Sequence, residues 1–419
     1  MAESGSRVAV ALLACLAFVA YQSLAGGVPV DCVVPLTQQP GRLSWSDGIA
    51  NFAAYLPLGL LAGHWLSLRR RGAPGWLALL AAAVAVAAFS LTMETVQACL
   101  DGRVSSWFDL ATNSAGGASG IMLVRLVSRG HGVLSGRAGG GHPLAQVRAV
   151  LFWPVLFAVG AWLLAGLSPW RFTFDVGTVR ANLAFLRGWS HWSGPDPWVF
   201  ARHLCGWLAV AVSLRALWPA RLTGTLVLAG VLAVSVVLQL LLVRRALSLD
   251  ELAAMLCALP LAGLLPGANS RQVRAGLLAL LALASVCAYQ LAPGRGRALA
   301  AGFDWLPQLG RGGLIGALEL SLFFGWLALS VVLALRWRAA CGLEIRRQRL
   351  AWPVAVVAVL FATEVAQLWI PGRLPDVSPP LLAALAYAIG WALFGAASPP
   401  RAGLVVTGPA KSRSRRPSA

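Results

Sequence analysis

The chain has 419 residues, 58% of them hydrophobic and 12% charged, with a mean hydropathy of +0.73. That much apolar surface exceeds what a water-soluble core of this size hides, which excludes a soluble globular protein and places the chain in a bilayer. A net charge of +19 would suit a nucleic-acid binder, but the basic residues are biased toward alternate loops and the termini, which argues against nucleic acid as a partner and assigns the charge to membrane topology.

Apolar stretches of roughly 20 residues, the length that crosses a bilayer as a helix, occur near 8–26, 49–68, 76–98, 109–127, 149–168, 198–218, 222–243, 248–266, 273–292, 314–335, 350–370 and 380–397. They lack the alternation of barrel strands and must satisfy their own backbone groups in lipid, so they read as helices. The expected fold class is all-α: a polytopic transmembrane protein of about 12 helices, arranged as three repeated four-helix units. Arg7 precedes the first apolar core, as in a signal peptide. The core is long and no small-x-small cleavage site follows, so a retained anchor is expected.

Three internal matches suggest the repeat. A Gln precedes an Arg at Gln97 and Arg103, at Gln239 and Arg245, and at Gln367 and Arg373, each time where an apolar run ends. Upstream lie Gly59-Leu60-Leu61-Ala62, Gly206-Trp207-Leu208-Ala209 and Gly325-Trp326-Leu327-Ala328. A period this long is a small domain rather than a solenoid repeat. The expected divisions are a most complete unit over 1–130, a Gly-rich cytoplasmic linker over 131–148, a degenerate unit over 149–268, a third unit over 269–398 and a basic disordered tail over 399–419.

Even-numbered loops and the two termini carry 21 of the 34 Lys and Arg residues, against 11 in the odd-numbered loops. The positive-inside rule then puts both termini in the cytoplasm of a multi-pass protein of the cell membrane. Of seven Cys residues only Cys32 and Cys99 share the outer face, and nothing in their spacing predicts a bridge. The five His residues have no metal-ligand spacing. Neither metal nor cofactor is expected.

Chemistry concentrates at the outer ends of the spans. Glu94 and Gln97, three residues apart, share a helical face; Arg103 follows in the loop, and Ser106, Asp109 and Asn113 open the fourth span ahead of Gly116, Gly117 and Gly120. The third unit repeats Glu364, Gln367, Arg373 and Asp376 but has Pro379 where the first has Asp109; the second keeps Gln239, Arg245, Ser248 and Glu251 but has Val236 at the Glu position. Ser106-x-x-Asp109 and Ser248-x-x-Glu251 also fit a capping box, in which the acids only finish a helix end. A carboxylate inside a span costs about 2.5 to 3.5 kcal/mol on insertion scales, so Glu94 and Glu364 call for a partner or a function. Glu94 is either half of a Glu–Arg pair with Arg103 or a general base on a bound hydroxyl, and the free N–H groups of the fourth span, with Arg103 beside them, suit an anion. Trp189, His191, Trp192 and Trp198 suit stacking on a sugar or an interfacial aromatic belt.

Asn51-Phe52, Tyr55-Leu56-Pro57-Leu58-Gly59, Glu94-x-x-Gln97, Arg103, Asp109, Asn113 and the Gly-rich fourth span together resemble the VanZ-like family, over about 10–127. The third unit, about 275–397, resembles it in part. The resemblance implies a bacterial membrane protein of a family linked to teicoplanin resistance, whose biochemical activity it does not define. It also implies a polar site facing out of the cytoplasm, with candidate ligand-binding residues Glu94, Gln97, Arg103, Asp109, Asn113, Glu364, Gln367, Arg373 and Asp376. Glu94 is the candidate catalytic residue, although the sequence does not decide whether the protein is an enzyme. Three functions fit: binding or modifying an anionic envelope ligand, lipid-linked or peptidoglycan-related; transport through a twelve-span path; and envelope glycosyl transfer, for which Asp175 and Asp196 are the acids available.

Overall fold

The computed structural model of the protein describes residues 2–25, 27–33, 36, 45–69, 76–138, 143–184, 194–243, 247–265, 271–294, 296, 298–300, 302–308 and 313–395. These residues form α1 (Ala2–Leu24), α2 (Trp45–Arg69), α3 (Trp76–Gln97), α4 (Trp107–Ala138), α5 (Pro143–Gly166), α6 (Val176–Asn182), α7 (Pro197–Leu217), α8 (Arg221–Leu240), α9 (Leu249–Leu264), α10 (Arg271–Leu291), α11 (Gly313–Ala340), α12 (Gln348–Ala366) and α13 (Ser378–Phe394). Two short strands, β1 (Val28–Pro29) and β2 (Leu100–Asp101), pair antiparallel.

Nine helices among the described residues are long and apolar enough to cross a membrane: α1, α2, α3, α5, α7, α8, α10, α11 and α12. Each apolar stretch in the sequence coincides with a helix, but three of those helices fall outside this set. α4 carries many glycines and basic residues, and α9 and α13 have only 16 and 17 residues. Leu13, Leu80, Val84, Leu222, Leu226 and Leu280 stand exposed on the helix surfaces, which lipid tolerates and water does not. The chain is a multi-pass membrane protein.

Two sequence expectations change. The segment read as a Gly-rich joint is helical on both sides, with α4 continuing to Ala138 and α5 starting at Pro143. Cys32 and Cys99 form a disulfide. β1 leads Cys32 alongside the end of α3, where the backbone N–H groups of Val30 and Val33 donate to the carbonyls of Cys99 and Ala98, and this pairing was not visible in the spacing of the two residues. The short α6 also has no counterpart among the apolar runs; Asp175 caps it by accepting from the Thr178 N–H at 2.7 Å.

α2 and α4 lie against each other because glycine removes the side chains between them. A Cβ at Gly59 would overlap the Gly117 carbonyl, one at Gly116 the Phe52 carbonyl, and one at Gly120 the Leu56 carbonyl. α1 packs on α2 and α13, with Val8, Ala11 and Cys15 sharing a buried cluster with Tyr55, Leu58 and Ala392. In the rest of the bundle α7 packs on α10 and α5 on α11. Trp162 of α5 is the aromatic hub there, its ring 4.5 Å from that of Trp326 and 5.8 Å from that of Trp207.

Candidate functional site

At one end of the α1–α4 bundle, α3 stops, the chain turns through β2, and α4 begins. The first N–H groups of a helix lack intrahelical partners. Here Ser106 is the cap: its hydroxyl accepts from the Phe108 N–H at 3.1 Å and its carbonyl from the Leu110 N–H at 3.1 Å. A capping box would bring the third residue of the same helix back to the Ser106 N–H. That place is taken instead by Glu94 of α3, whose Oε2 accepts from the Ser106 N–H at 2.8 Å. Asp109 is thereby released, and its carboxylate accepts from the Asn51 amide of α2 at 2.7 Å.

The positive end of a helix stabilises a negative charge, so the anion position anticipated at the start of α4 is filled by the protein's own carboxylate. Glu94 is buried. One turn back along α3, the Ser90 hydroxyl accepts from the Asn113 amide at 3.0 Å, while the Asn113 side-chain oxygen, also buried, has no hydrogen-bond partner among the described residues. Tyr55 of α2, buried as well, lines the same region next to Ser90 and Glu94.

Arg103 points elsewhere. Its guanidinium donates to the carbonyls of Gln22 and Ala25 at the end of α1, and Gln97 donates to the Ser23 carbonyl at 2.9 Å. The terminal carbonyls of a helix need such donors. The Glu94–Arg103 pair, one of the two readings of Glu94, is replaced by two separate roles: Glu94 finishes the start of α4 and Arg103 finishes the end of α1.

The same wiring recurs around α12. Glu364 Oε2 accepts from the Asp376 N–H at 3.0 Å, and the Asp376 carboxylate accepts from the Ser378 N–H at the start of α13. Arg373 donates to the carbonyls of Tyr289 and Ala292 at the end of α10. Glu364 Oε1 also takes the amides of Gln290, at 2.6 Å, and Gln367, at 3.1 Å. All of Glu364, Gln367 and Gln290 are buried.

Around α8 the pattern is altered. With Val236 at the Glu position, the acid comes from α9: Glu251 accepts from the Gln239 amide at 3.1 Å and lies 3.6 Å from His203 Nδ1. Ser248 caps α9 by accepting from the Glu251 N–H at 3.1 Å, the serine half of a capping box, while the Glu251 carboxylate faces Gln239 and His203. Arg245 and the stacking candidates Trp189, His191 and Trp192 lie outside the described residues; Trp198 sits in the first turn of α7, after Asp196, which caps that helix. Asp175, the other acid of the glycosyl-transfer reading, caps α6, and the Thr178 backbone and hydroxyl bonds hold its carboxyl below the usual range. Both acids are thus engaged at helix starts.

The sequence-selected residues fall into two clusters, Glu94 with Asp109 and Asn113, and Glu364 with Gln367 and Asp376, each flanked by an Arg clamp. Ser90, Asn51 and Gln290 complete the clusters and were not singled out as site residues. The available signal was that each is a polar side chain inside an apolar run.

Residues 10–128 match the VanZ/LLP1 family, and the match spans α1 to most of α4, including Glu94, Gln97, Arg103, Asp109 and Asn113. The N-terminal segment is VanZ-like. No curated protein and no solved structure gives a significant match to the chain. The VanZ-like segment thus contains the Glu94 cluster, the α2–α4 glycine contact and the Cys32–Cys99 bridge, whereas the Glu364 cluster lies beyond the matched residues.

Proposed function

We propose that the VanZ-like segment holds an anionic envelope ligand, lipid-linked or peptidoglycan-related, at the Glu94 cluster on the face of the membrane away from the cytoplasm. The observation that carries this reading is the buried, partnerless oxygen of Asn113, whose amide bonds Ser90 one turn before Glu94 in α3. A buried polar atom left unmet costs about 1–3 kcal/mol, and a ligand hydroxyl or amide N–H would meet it. Glu94 then accepts from, or takes a proton from, the same hydroxyl. The anionic part of the ligand is met by the half-buried Arg103, through the guanidinium N–H groups other than those given to the Gln22 and Ala25 carbonyls.

Two further features support the reading. A disulfide persists in oxidising compartments, so Cys32–Cys99 favours the outer face for this end of the bundle. The recurrence of Glu, Arg and helix-cap geometry at Glu364, Arg373 and Asp376 favours a duplicated four-helix unit, with α5, α7, α8 and α9 as the altered copy. Both termini then lie in the cytoplasm, and an influence on glycopeptide susceptibility follows from where the ligand sits.

The test uses Glu94→Gln, which keeps a carbonyl oxygen for the Ser106 N–H and removes the charge. With polyprenyl phosphate and a lipid-linked cell-wall precursor as probes, the unsubstituted protein is stabilised against heating and Glu94→Gln is not, while its melting without probe stays close to the original. Equal stabilisation of both proteins overturns the proposal.

A further inference from the structure

A partly open cavity lies away from the Glu94 cluster, between α5, α7, α8, α9 and α11, with space for about one water molecule. Trp162, His203, Trp207, Gln239, Glu251 and Phe323 form most of its wall. Gln239 and Trp207 are both almost completely buried. The Gln239 amide nitrogen is committed to the Glu251 carboxylate, at 3.1 Å, and to the Ser235 hydroxyl, at 3.3 Å. A carboxylate must be faced by the NH2 end of the amide, which turns the Gln239 oxygen the other way. That oxygen has no partner among the described residues, and neither does the indole N–H of Trp207.

The occupant must therefore donate to Gln239 and accept from Trp207. A bare cation cannot donate a hydrogen bond, a halide cannot donate, and an ammonium cannot accept. Water does both, and so does a hydroxyl. The wall also contains one formal acid, Glu251, and one permanent cation, Arg202, whose guanidinium carbon lies 4.6 Å from the Tyr289 ring centre and 4.9 Å from that of Phe323. Opposite charges in one wall favour an uncharged group over either ion.

We propose that this cavity is a second binding site that takes the terminal hydroxyl of a polyol, either the headgroup of a membrane lipid or a free polyol, between Gln239 and Trp207. It does not rest on the role given to Glu94, and nothing in the matched VanZ-like residues supplies it. The polyol enters by its hydroxyl tip, which replaces the single water the cavity admits, and the rest of the molecule stays outside.

The full-length protein is reconstituted in nanodiscs of phosphatidylcholine doped with either phosphatidylglycerol or phosphatidylethanol. The two dopants carry the same charge and only the first has headgroup hydroxyls. Retained lipid is measured after detergent extraction, with added glycerol as competitor. The expected result is about tenfold preferential retention of phosphatidylglycerol, two hydrogen bonds in a desolvated site being worth roughly that factor. The preference should be lost in Gln239→Leu and in Trp207→Phe. Competition by glycerol identifies a free polyol as an accepted source, and its failure to compete identifies the lipid; both support hydroxyl recognition. Equal retention of the two dopants by the unsubstituted protein overturns the proposal, as does a preference that survives both substitutions. The dopant comparison needs no variant, so poor folding of either one leaves the test decisive.

Discussion

Replacing Gly120 by alanine tests the α2–α4 contact most sharply, because the same substitution elsewhere should have the opposite sign. Alanine is favoured over glycine in a helix interior by about 0.8–1 kcal/mol. At Gly160 in α5 and Gly276 in α10 an added Cβ meets nothing within 4 Å, so most of that gain is realised. At Gly120 the Cβ would overlap the Leu56 carbonyl and fall 2.7 Å from the Leu60 nitrogen. These are backbone atoms of a neighbouring helix and cannot rotate aside. Overpacking costs typically about 1–3 kcal/mol, occasionally more, which outweighs the propensity gain. Gly120→Ala is therefore expected to destabilise by up to about 2 kcal/mol net, and Gly160→Ala to be neutral or stabilising. The assay is thermal unfolding in mild detergent at matched protein and detergent concentrations, with cytoplasmic-end labelling to confirm insertion. Equal melting of Gly120→Ala and Gly160→Ala would refute the close backbone approach of α2 and α4.

Other predictions follow from the elbow and its surroundings. Arg103→Ala leaves the Gln22 and Ala25 carbonyls without their donor and should destabilise by about 1.5–3 kcal/mol, the usual range for bonds from a charged group; Arg103→Lys, with a point charge in place of a fork, should recover only part of the loss in the same melting assay. Mass-shift counting of alkylated thiols under denaturing conditions should find five reactive cysteines before reduction and seven after, since Cys15, Cys205, Cys257, Cys287 and Cys341 are free while Cys32 and Cys99 are joined. The lowered Asp175 carboxyl stabilises α6 above the ordinary carboxylate range, and that protection should fade as pH falls through its own, lower value; hydrogen exchange of residues 176–182 should show it, and Asp175→Asn should flatten the dependence. An impermeant maleimide should label Asp101→Cys in intact cells and Glu344→Cys only after the membrane is opened; the reverse order would invert the bundle.

The helices were legible because an apolar run of bilayer length leaves the backbone no alternative to helix. What periodicity could not convey was where side chains go once distant segments meet. Arg103 and Glu94 stand nine residues apart and carry opposite charges, so pairing them is the natural reading of the sequence. The structure assigns each to a different helix end, because the carbonyls at Gln22 and Ala25 and the N–H at Ser106 need partners more than the two charges need each other. The roles of Asn51 and Ser90 were not readable for a similar reason: they come from Asp109 and Asn113 across a helix interface. The cavity at Gln239 was overlooked because α8 lacks the Glu of the motif. Its acid arrives from α9, fifteen positions beyond Val236, where the spacing matches Asp109 rather than Glu94.

The arginine clamps have a consequence for how the protein is made. The donor that completes the end of α1 lies 78 and 81 residues further along the chain, and the one for α10 lies 81 and 84 residues on. During synthesis each of these helices enters the bilayer with its last carbonyls unmet, held at the water-facing boundary until two more segments have emerged from the ribosome. Insertion of α1 and α10 is thus provisional until the loop bearing Arg103 or Arg373 reaches the same membrane boundary, and a chain in which that loop fails to arrive leaves a helix end that surveillance proteases can recognise.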